Sequence, residues 1–429
     1  MKNEKFDKQF ILKHKNIDVL KFSFNDTFEI DNIIDIYMKE HIPLGISTEK
    51  DSFLKSFQKW WIHRGIPASR DKLQEGLALL NLETVSELLG RSYGVSLSDH
   101  YWIKPVNQNL EWDNINYYKN SFSDDVGKAL FDNIKKYDSI ENAKLNSPDN
   151  SSDGNLRKKW IINNGIRYLI KGGDMFSPQE SFNEVIAAEL MNRLNINHAE
   201  YSVLHDEEKH VFYSKTPNFT TETFELINAN QIISYFTPPQ KKENPYDWFI
   251  FCCEQKGIKK DLFEKDLVQM FFIDYIIGNK DRHYRNFGFI RNSETLKWIG
   301  LAPVYDSGNS LFEGLADLDL TNTYFTDSKN IPSKPFAFNH AEQIKLLPIK
   351  KYCSELQFNN LKDFPNWVFD FLKQNYRLTD KRKELICQKL EERINEAKRL
   401  LTIDFTQNKS NQFPSPSPKS KSDNFGRGQ

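Results

Sequence analysis

Cysteine is scarce in this chain: four residues in 429. They are Cys252, Cys253, Cys353 and Cys387, two of them adjacent and none at metal-ligand spacing. That pattern excludes a disulfide framework and a cysteine-based zinc motif, and it favours a reducing compartment. Long hydrophobic runs are also lacking. No stretch reaches the roughly 18 apolar residues of a membrane span, and the opening MKNEKFDKQFILKHKN has no apolar core of a signal peptide. The expectation is a soluble, cytoplasmic protein with no membrane association. An excess of one charge is absent too, with 58 Lys and Arg against 59 Asp and Glu. So even a balance creates no global field toward nucleic acid or an anionic membrane.

What the chain does have is length and aromatic side chains. At this length two or three domains are expected. Aromatics make up 14% of the residues, with 33 Phe, which predicts an aromatic-rich core. Before residue 120 the pattern reads as mostly helical. SFLKSFQKWWIHRG puts Phe53, Leu54, Phe57, Trp60 and Trp61 at helical spacing ahead of Gly65, and SLSDHYWIKP is too short to class. Polar residues 138–159 read as a long loop before a strand. KKWIINNGIRYLIKGG then gives two strand-like runs around Asn164-Gly165, a hairpin signal. SFNEVIAAELMNRLNI carries a helical stripe, EYSVLHDEEKHVFYSKTPNF and FGFIRNSETLKWIGLAPVYD read as further hairpins, and DLFEKDLVQMFFIDYIIGN as a strongly apolar helix. The last segments, WVFDFLKQNYRL and KRKELICQKLEERINEAKRLL, are predicted helices. A β-rich part followed by a helical part implies an α+β chain of two lobes with a cleft between them. The boundaries expected are a helical accessory region over 1–120, a first lobe over 121–218, a helical second lobe over 219–405, and a Ser/Pro/Lys-rich tail over 406–429. That tail has too few aliphatic residues to order itself.

The segment IIGNKDRHYRNFGFI, residues 276–290, concentrates polar chemistry after a buried-looking helix. Asp281 and Asn286 lie five apart, and Asp306 follows at the end of a hairpin in LAPVYDSGNS. Phosphoryl transfer from a nucleotide needs a carboxylate to orient or deprotonate the attacking hydroxyl, and oxygen ligands for Mg²⁺, a hard cation. In this scheme Asp281 is the base, and Asn286 with Asp306 holds the metal. The bland alternative is that each caps a helix or starts a turn, as Asp and Asn often do; the ordered set argues against it. Lys171, at the end of the strand GIRYLIKGG, could meet nucleotide phosphates. Glu184, thirteen residues on, could pair with it, with Glu180 and Glu189 as competitors. The loop NSPDNSSDGN holds only Gly154, a weak match to a glycine-rich phosphate loop. Ser151, Ser152 and the amides around Gly154 are candidates to meet phosphate, against the alternative of a solvated loop. Arg282 and His283 are read as structural.

YIIGNKDRHYRNFGFI together with LAPVYDSGNSLF resembles the catalytic core of HipA-like serine/threonine kinases, with loops of the form G-N-x-D-R-H-x-x-N-F-x-F and A-P-x-Y-D. RYLIK and NEVIAAEL are similar to that family's ATP-binding lysine strand and the helix after it. The likeness covers roughly residues 140–400. It implies a two-lobed protein-kinase-like fold, ATP and Mg²⁺ as cofactors, a protein substrate phosphorylated on Ser or Thr, and autophosphorylation in the loop at 147–155, for which Ser151 and Ser152 are candidates. It assigns Asp281 as catalytic, Asn286 and Asp306 as metal ligands, and Lys171 and Glu184 to the nucleotide. Family members are often toxins paired with a DNA-binding antitoxin. The first 120 residues carry no family feature, so such a partner is an expectation of the likeness alone. Three alternatives compete. A phosphatidylinositol-kinase-like lipid kinase shares a D-R-H-x-x-N loop, but no basic amphipathic helix is present. A non-catalytic nucleotide-binding module would not need Lys171, Asp281, Asn286 and Asp306 together. Direct nucleic-acid binding through SFQKWWIHRGIPASR is disfavoured, because Trp at helical spacing is more often core.

Overall fold

The computed structural model describes residues 8–70, 72–131, 142–152, 154, 156–172, 178–240 and 243–402. The tail expected over 406–429 lies outside them.

The N-terminal region departs from the helical expectation. FILKHKNIDVLKFSF alternates apolar and polar residues, and this period of two makes strands. Strands β1 (Gln9–His14), β2 (Ile17–Phe24), β3 (Ile30–Ile36) and β4 (Tyr101–Pro105) form a sheet in the order β3-β2-β1-β4. Its adjoining pairs β1–β2, β2–β3 and β1–β4 are antiparallel. Phe10, Leu12, Leu20, Phe22 and Phe24 point into one core. The helix Lys50–Arg64 covers that face with Phe53, Phe57, Trp60 and Trp61, as its spacing required. The unclassed YWIKP is β4, an edge strand paired to β1. The helical reading therefore holds for parts of 50–91 but not for 9–36 or 101–105.

The three expected hairpins form. In the first, β5 (Lys158–Asn163) and β6 (Ile166–Gly172) turn through Asn164 and Gly165, with φ of 50° and 80°. Two successive positive φ values are what a twist-compatible two-residue hairpin loop demands, and Asn-Gly meets them at little steric cost. In the second, β7 (Ser202–Asp206) pairs with β8 (Val211–Pro217), giving the sheet order β5-β6-β8-β7. The helix Glu180–Arg193 packs beneath it through Phe182, Ile186 and Leu190. The third hairpin, β10 (Gly288–Asn292) and β11 (Trp298–Leu301), gains a further strand, β9 (Phe224–Asn228), beside β10.

The second lobe is built around the helix Glu264–Ile277. After a charged first turn it is apolar nearly all round, and it is buried along most of its length, as a central helix must be. Gly278 ends it at φ 63°, the left-handed cap that glycine adopts most readily. The expected terminal helices, Phe364–Leu372 and Asp380–Thr402, close the core around it. Among the described residues no helix is long and apolar enough to cross a membrane. Over 142–159 the loop is less solvated than its composition suggested. A short 3₁₀ turn, Pro148–Ser151, runs through it, and Ser147, Asp149, Asn150 and Ser152 are buried.

Gly288 sets how closely β10 can approach β9. A Cβ there would lie 2.3 Å from the Ile227 carbonyl oxygen and 2.7 Å from Asn228 Cα. Neither backbone atom can move without breaking the ladder. Gly288→Ala is expected to destabilise the protein by about 1–3 kcal/mol or more, as overpacking does, measured as a lowered urea midpoint with an unchanged slope.

Candidate active site

Four stretches far apart in sequence meet in one cleft of about 1110 Å³. From β6 comes Lys171, 8% exposed. Its Nζ lies 2.9 Å from Glu184 Oε1 on the helix Glu180–Arg193 and is also bonded to Asp306 Oδ1. Burial alone would strip the ammonium of its proton. The two carboxylates overcome this and hold its pKa well above the ordinary lysine value. Burial would likewise raise Asp306, but Lys171 and then Lys158 hold its carboxyl below the usual carboxylate range. So the sequence pairing of Lys171 with Glu184 is realised. Glu189 instead binds Arg193 at 2.7 Å, and Glu180 lines the cleft.

Asp306 sits at φ 60°, a left-handed conformation that disfavours most side chains. Its surroundings hold it there. Its N–H donates to the Tyr201 hydroxyl at 3.2 Å, and the N–H of Ser307 donates to Glu184 Oε2 at 2.8 Å. Gly308 completes the turn because a methyl group there would come within 2.8 Å of Glu180 Cγ and 3.1 Å of the Glu180 carbonyl oxygen.

The polar loop after Gly278 is shaped by one buried ion pair. Asp274, in the apolar helix, receives Arg282 Nε at 2.8 Å and a second guanidinium nitrogen at 3.0 Å. Both side chains are fully buried. The rest of the guanidinium donates to Asn286 O at 2.9 Å, Ser307 Oγ at 2.8 Å and Tyr305 O. Arg282 thus clamps the Asp281–Asn286 loop against the segment that carries Asp306. Asp281 is half exposed, its N–H held by Asn279 Oδ1 at 3.1 Å. Its carboxylate takes Lys334 Nζ at 2.7 Å and faces His283 Nε2 at 3.8 Å. Asn286 Nδ2 donates to Asp281 O at 2.9 Å, a bond its amide oxygen takes no part in.

Ser151, Ser152 and Gly154 also line the cleft. The hydroxyl of Ser151 donates to Val95 O at 3.2 Å. Ser152 is buried, its Oγ accepting from Arg70 at 2.8 Å and donating to Asp149 O at 2.9 Å. Arg70 also donates to the carbonyls of Ser152 at 2.6 Å and Gly154 at 2.8 Å. An arginine of the N-terminal region therefore holds the loop that the sequence offered as phosphate-binding.

Sequence reasoning named the five convergent residues but missed Asp274, Gly308, Lys334 and Arg70. Asp274 had a signal, being the lone charge between Leu267 and Lys280. Gly308 is the third residue of an Asp-Ser-Gly turn. Nothing local marks Lys334 or Arg70.

A β-rich lobe and a helical lobe, with an ion-paired lysine and an Asp/Asn/Asp set between them, define the two-lobed protein-kinase-like class. The model of the HipA-like C-terminal domain family matches residues 143–356, and through this segment the chain belongs to the HipA-like family. The serine/threonine-protein kinase CtkA of Helicobacter pylori is 25% identical over 189 residues, 41% of this chain. The chain spans 56% of the length of that relative. Among solved structures, the H. pylori proinflammatory kinase CtkA is similar over 57% of this chain and 94% of its own, at 18% identity and TM-score 0.45. The toxin–antitoxin system HipA and HipB of Shewanella oneidensis MR-1, in complex with its operator DNA, covers 92% of this chain and 100% of its own, at 13% identity and TM-score 0.51.

Two outcomes follow from these contacts. Asp274→Ala leaves the Arg282 guanidinium buried without its counter-charge and is expected to cost about 3–5 kcal/mol of stability, read by chemical unfolding. Glu180, half-buried in the cleft wall beside Glu184 and Asp306, has its carboxyl raised to about 7, loss of solvation being the largest cause. A carboxyl whose pKa rises on folding binds its proton more tightly in the folded state. Stability is then present below the unfolded value near 4 and is lost as pH climbs toward 7. Asp149, also raised to about 7 by burial, adds the same slope. Glu180→Gln is expected to flatten part of the fall in Tm between about pH 5 and 7; an unchanged slope would show that Glu180 is not protonated there.

Proposed function

We propose that this chain is an ATP-dependent kinase that transfers the γ-phosphoryl group to a Ser or Thr hydroxyl of a protein. The observation that carries the reading is the convergence of Lys171, Glu184, Asp306, Asn286 and Asp281 around one cleft. The donor set fits the expected cofactors. A carboxylate and an amide oxygen suit Mg²⁺, which prefers oxygen ligands. The lysine is a cation placed where phosphates would lie, and the cleft is ample for a nucleotide. Bound ATP with Mg²⁺ would supply the activated phosphoryl group and neutralise its charge.

In this reading each residue has a separable task. Lys171, kept charged by Glu184, positions phosphate oxygens. Asp306 and Asn286 would hold the metal. Asp281, half exposed at the cleft, accepts the proton of the incoming hydroxyl and orients it. Lys334 bonds to Asp281 Oδ1, which leaves Oδ2 toward His283 and the cleft. The backbone around Ser152 and Gly154, held by Arg70, would cover the phosphates, and the Ser151 and Ser152 hydroxyls are the autophosphorylation candidates. Much of the rate enhancement in such a site comes from positioning and fixed charge.

Labelled ATP, Mg²⁺ and a lysate, followed by mapping of modified residues, tests the reading. Asp281→Asn is expected to abolish transfer while the Mg²⁺-dependent thermal shift with ATP persists. Asp306→Ala is expected to lose that shift. Transfer at the wild-type rate by both variants would overturn the assignments.

A further inference from the structure

Outside the cleft, the N-terminal sheet meets the β9–β10 pair through a fully buried cluster. His14 ends β1, His100 stands immediately before β4, and Glu225 lies on β9. The side chains of all three are inaccessible to solvent. We propose that His14 Nε2, His100 Nδ1 and Glu225 Oε2 bind one divalent ion of the zinc class, joining the N-terminal sheet to the second lobe.

The hydrogen bonds point to this. His100 Nε2 meets the Thr221 carbonyl oxygen at 2.9 Å. A carbonyl only accepts, so Nε2 carries a proton, and in the neutral ring Nδ1 is left with a lone pair. That buried Nδ1 has no hydrogen-bond partner, yet it lies 3.6 Å from Glu225 Oε2. His14 Nε2 is 3.1 Å from the same oxygen. All three ligand atoms lie within 4.8 Å of one another. Around a tetrahedral zinc with bonds of about 2.0–2.1 Å, neighbouring ligand atoms sit roughly 3.3 Å apart. The two measured edges bracket that value.

The outer contacts are those of ligating imidazoles, whose second nitrogen is usually anchored. For His100 the anchor is Thr221 O. For His14 it is His41, with Nδ1 to Nδ1 at 2.8 Å. Glu225 Oε1 is held by Arg291 at 2.9 Å through Nε and 2.7 Å through a terminal nitrogen. Arg291 in turn reaches the Tyr101 hydroxyl at 3.2 Å. A metal-free arrangement, with a proton on His14 Nε2 facing Glu225, explains the His14 contacts, but at 3.6 Å His100 Nδ1 is too far from the same carboxylate oxygen for a hydrogen bond, whether or not it carries a proton. Two imidazoles and one carboxylate select a borderline ion over Mg²⁺, so this site differs from the oxygen set at Asp306 and Asn286. The Arg291 charge opposes a cation and sets the affinity below that of a thiolate site.

The test uses the full chain stripped with a chelator and titrated with Co²⁺ and then Zn²⁺. Expected are one Co²⁺ per chain with the visible bands of tetrahedral coordination, displacement by Zn²⁺, and a rise in Tm with Zn²⁺. The bands disappear in His100→Ala and in Glu225→Gln but persist in Asp306→Asn, which separates this site from the cleft. Absence of stoichiometric binding by the wild-type chain overturns the proposal whether or not the variants fold. So do bands that survive His100→Ala.

Discussion

A buried ammonium group needs a counter-charge, and much of the cleft follows from that need at Lys171. Its charge is sustained by Glu184 from a helix and Asp306 from a loop more than 130 residues away. Removing either carboxylate would leave a buried, poorly compensated charge, one of the few single changes that costs several kcal/mol. The same pair of bonds sets β6, the helix Glu180–Arg193 and the Asp-Ser-Gly turn at fixed distances. Stability and site geometry are therefore one constraint. Glu184 carries it further by taking the Ser307 N–H, which helps keep Asp306 in its left-handed conformation.

A second buried pair does for the 279–286 loop what Lys171 does for the turn. Asp274 lies in the buried apolar second half of its helix, where an unpaired carboxylate would be intolerable. Arg282 reaches back to it and spends its remaining donors on Asn286, Tyr305 and Ser307. The loop closes its own turns, His283 N–H to Asp281 O and Asn286 N–H to His283 O, both at 2.8 Å, and the guanidinium ties those turns to the helix. The planar fork of arginine matters here, since a lysine could not span a carboxylate and three other acceptors at once.

The N-terminal region is joined to this machinery by polar contacts as well as by packing. Arg70 holds the Ser152–Gly154 backbone, Arg64 is bound to Asp99 at the cleft wall, and His14, His100, Glu225 and Arg291 share a buried cluster across the junction.

Much of the site was legible because its parts are local motifs with a mechanism. Asp281, Asn286 and Asp306 stood in ordered spacing, Lys171 at a strand end, and Asn164-Gly165 between two apolar runs. The N-terminal sheet was misread because its strands are short and lie beside a strongly helical aromatic stretch, Phe53 to Trp61, whose pattern dominated the region. The loop at 147–155 stood open between phosphate contact and a solvated loop, because the burial of Ser152 depends on Arg70, some eighty residues away, which no window around the loop contains. The hairpins, the central helix and the residues of the charged set could be read along the chain, since these rest on periodicity and turn chemistry among near neighbours. Only the tertiary structure decided which glutamate meets Lys171, that Asp274 anchors Arg282, and that two histidines and a glutamate share one point. Coulomb and hydrogen-bond partners are chosen by distance in space, and chain separation carries almost no information about it.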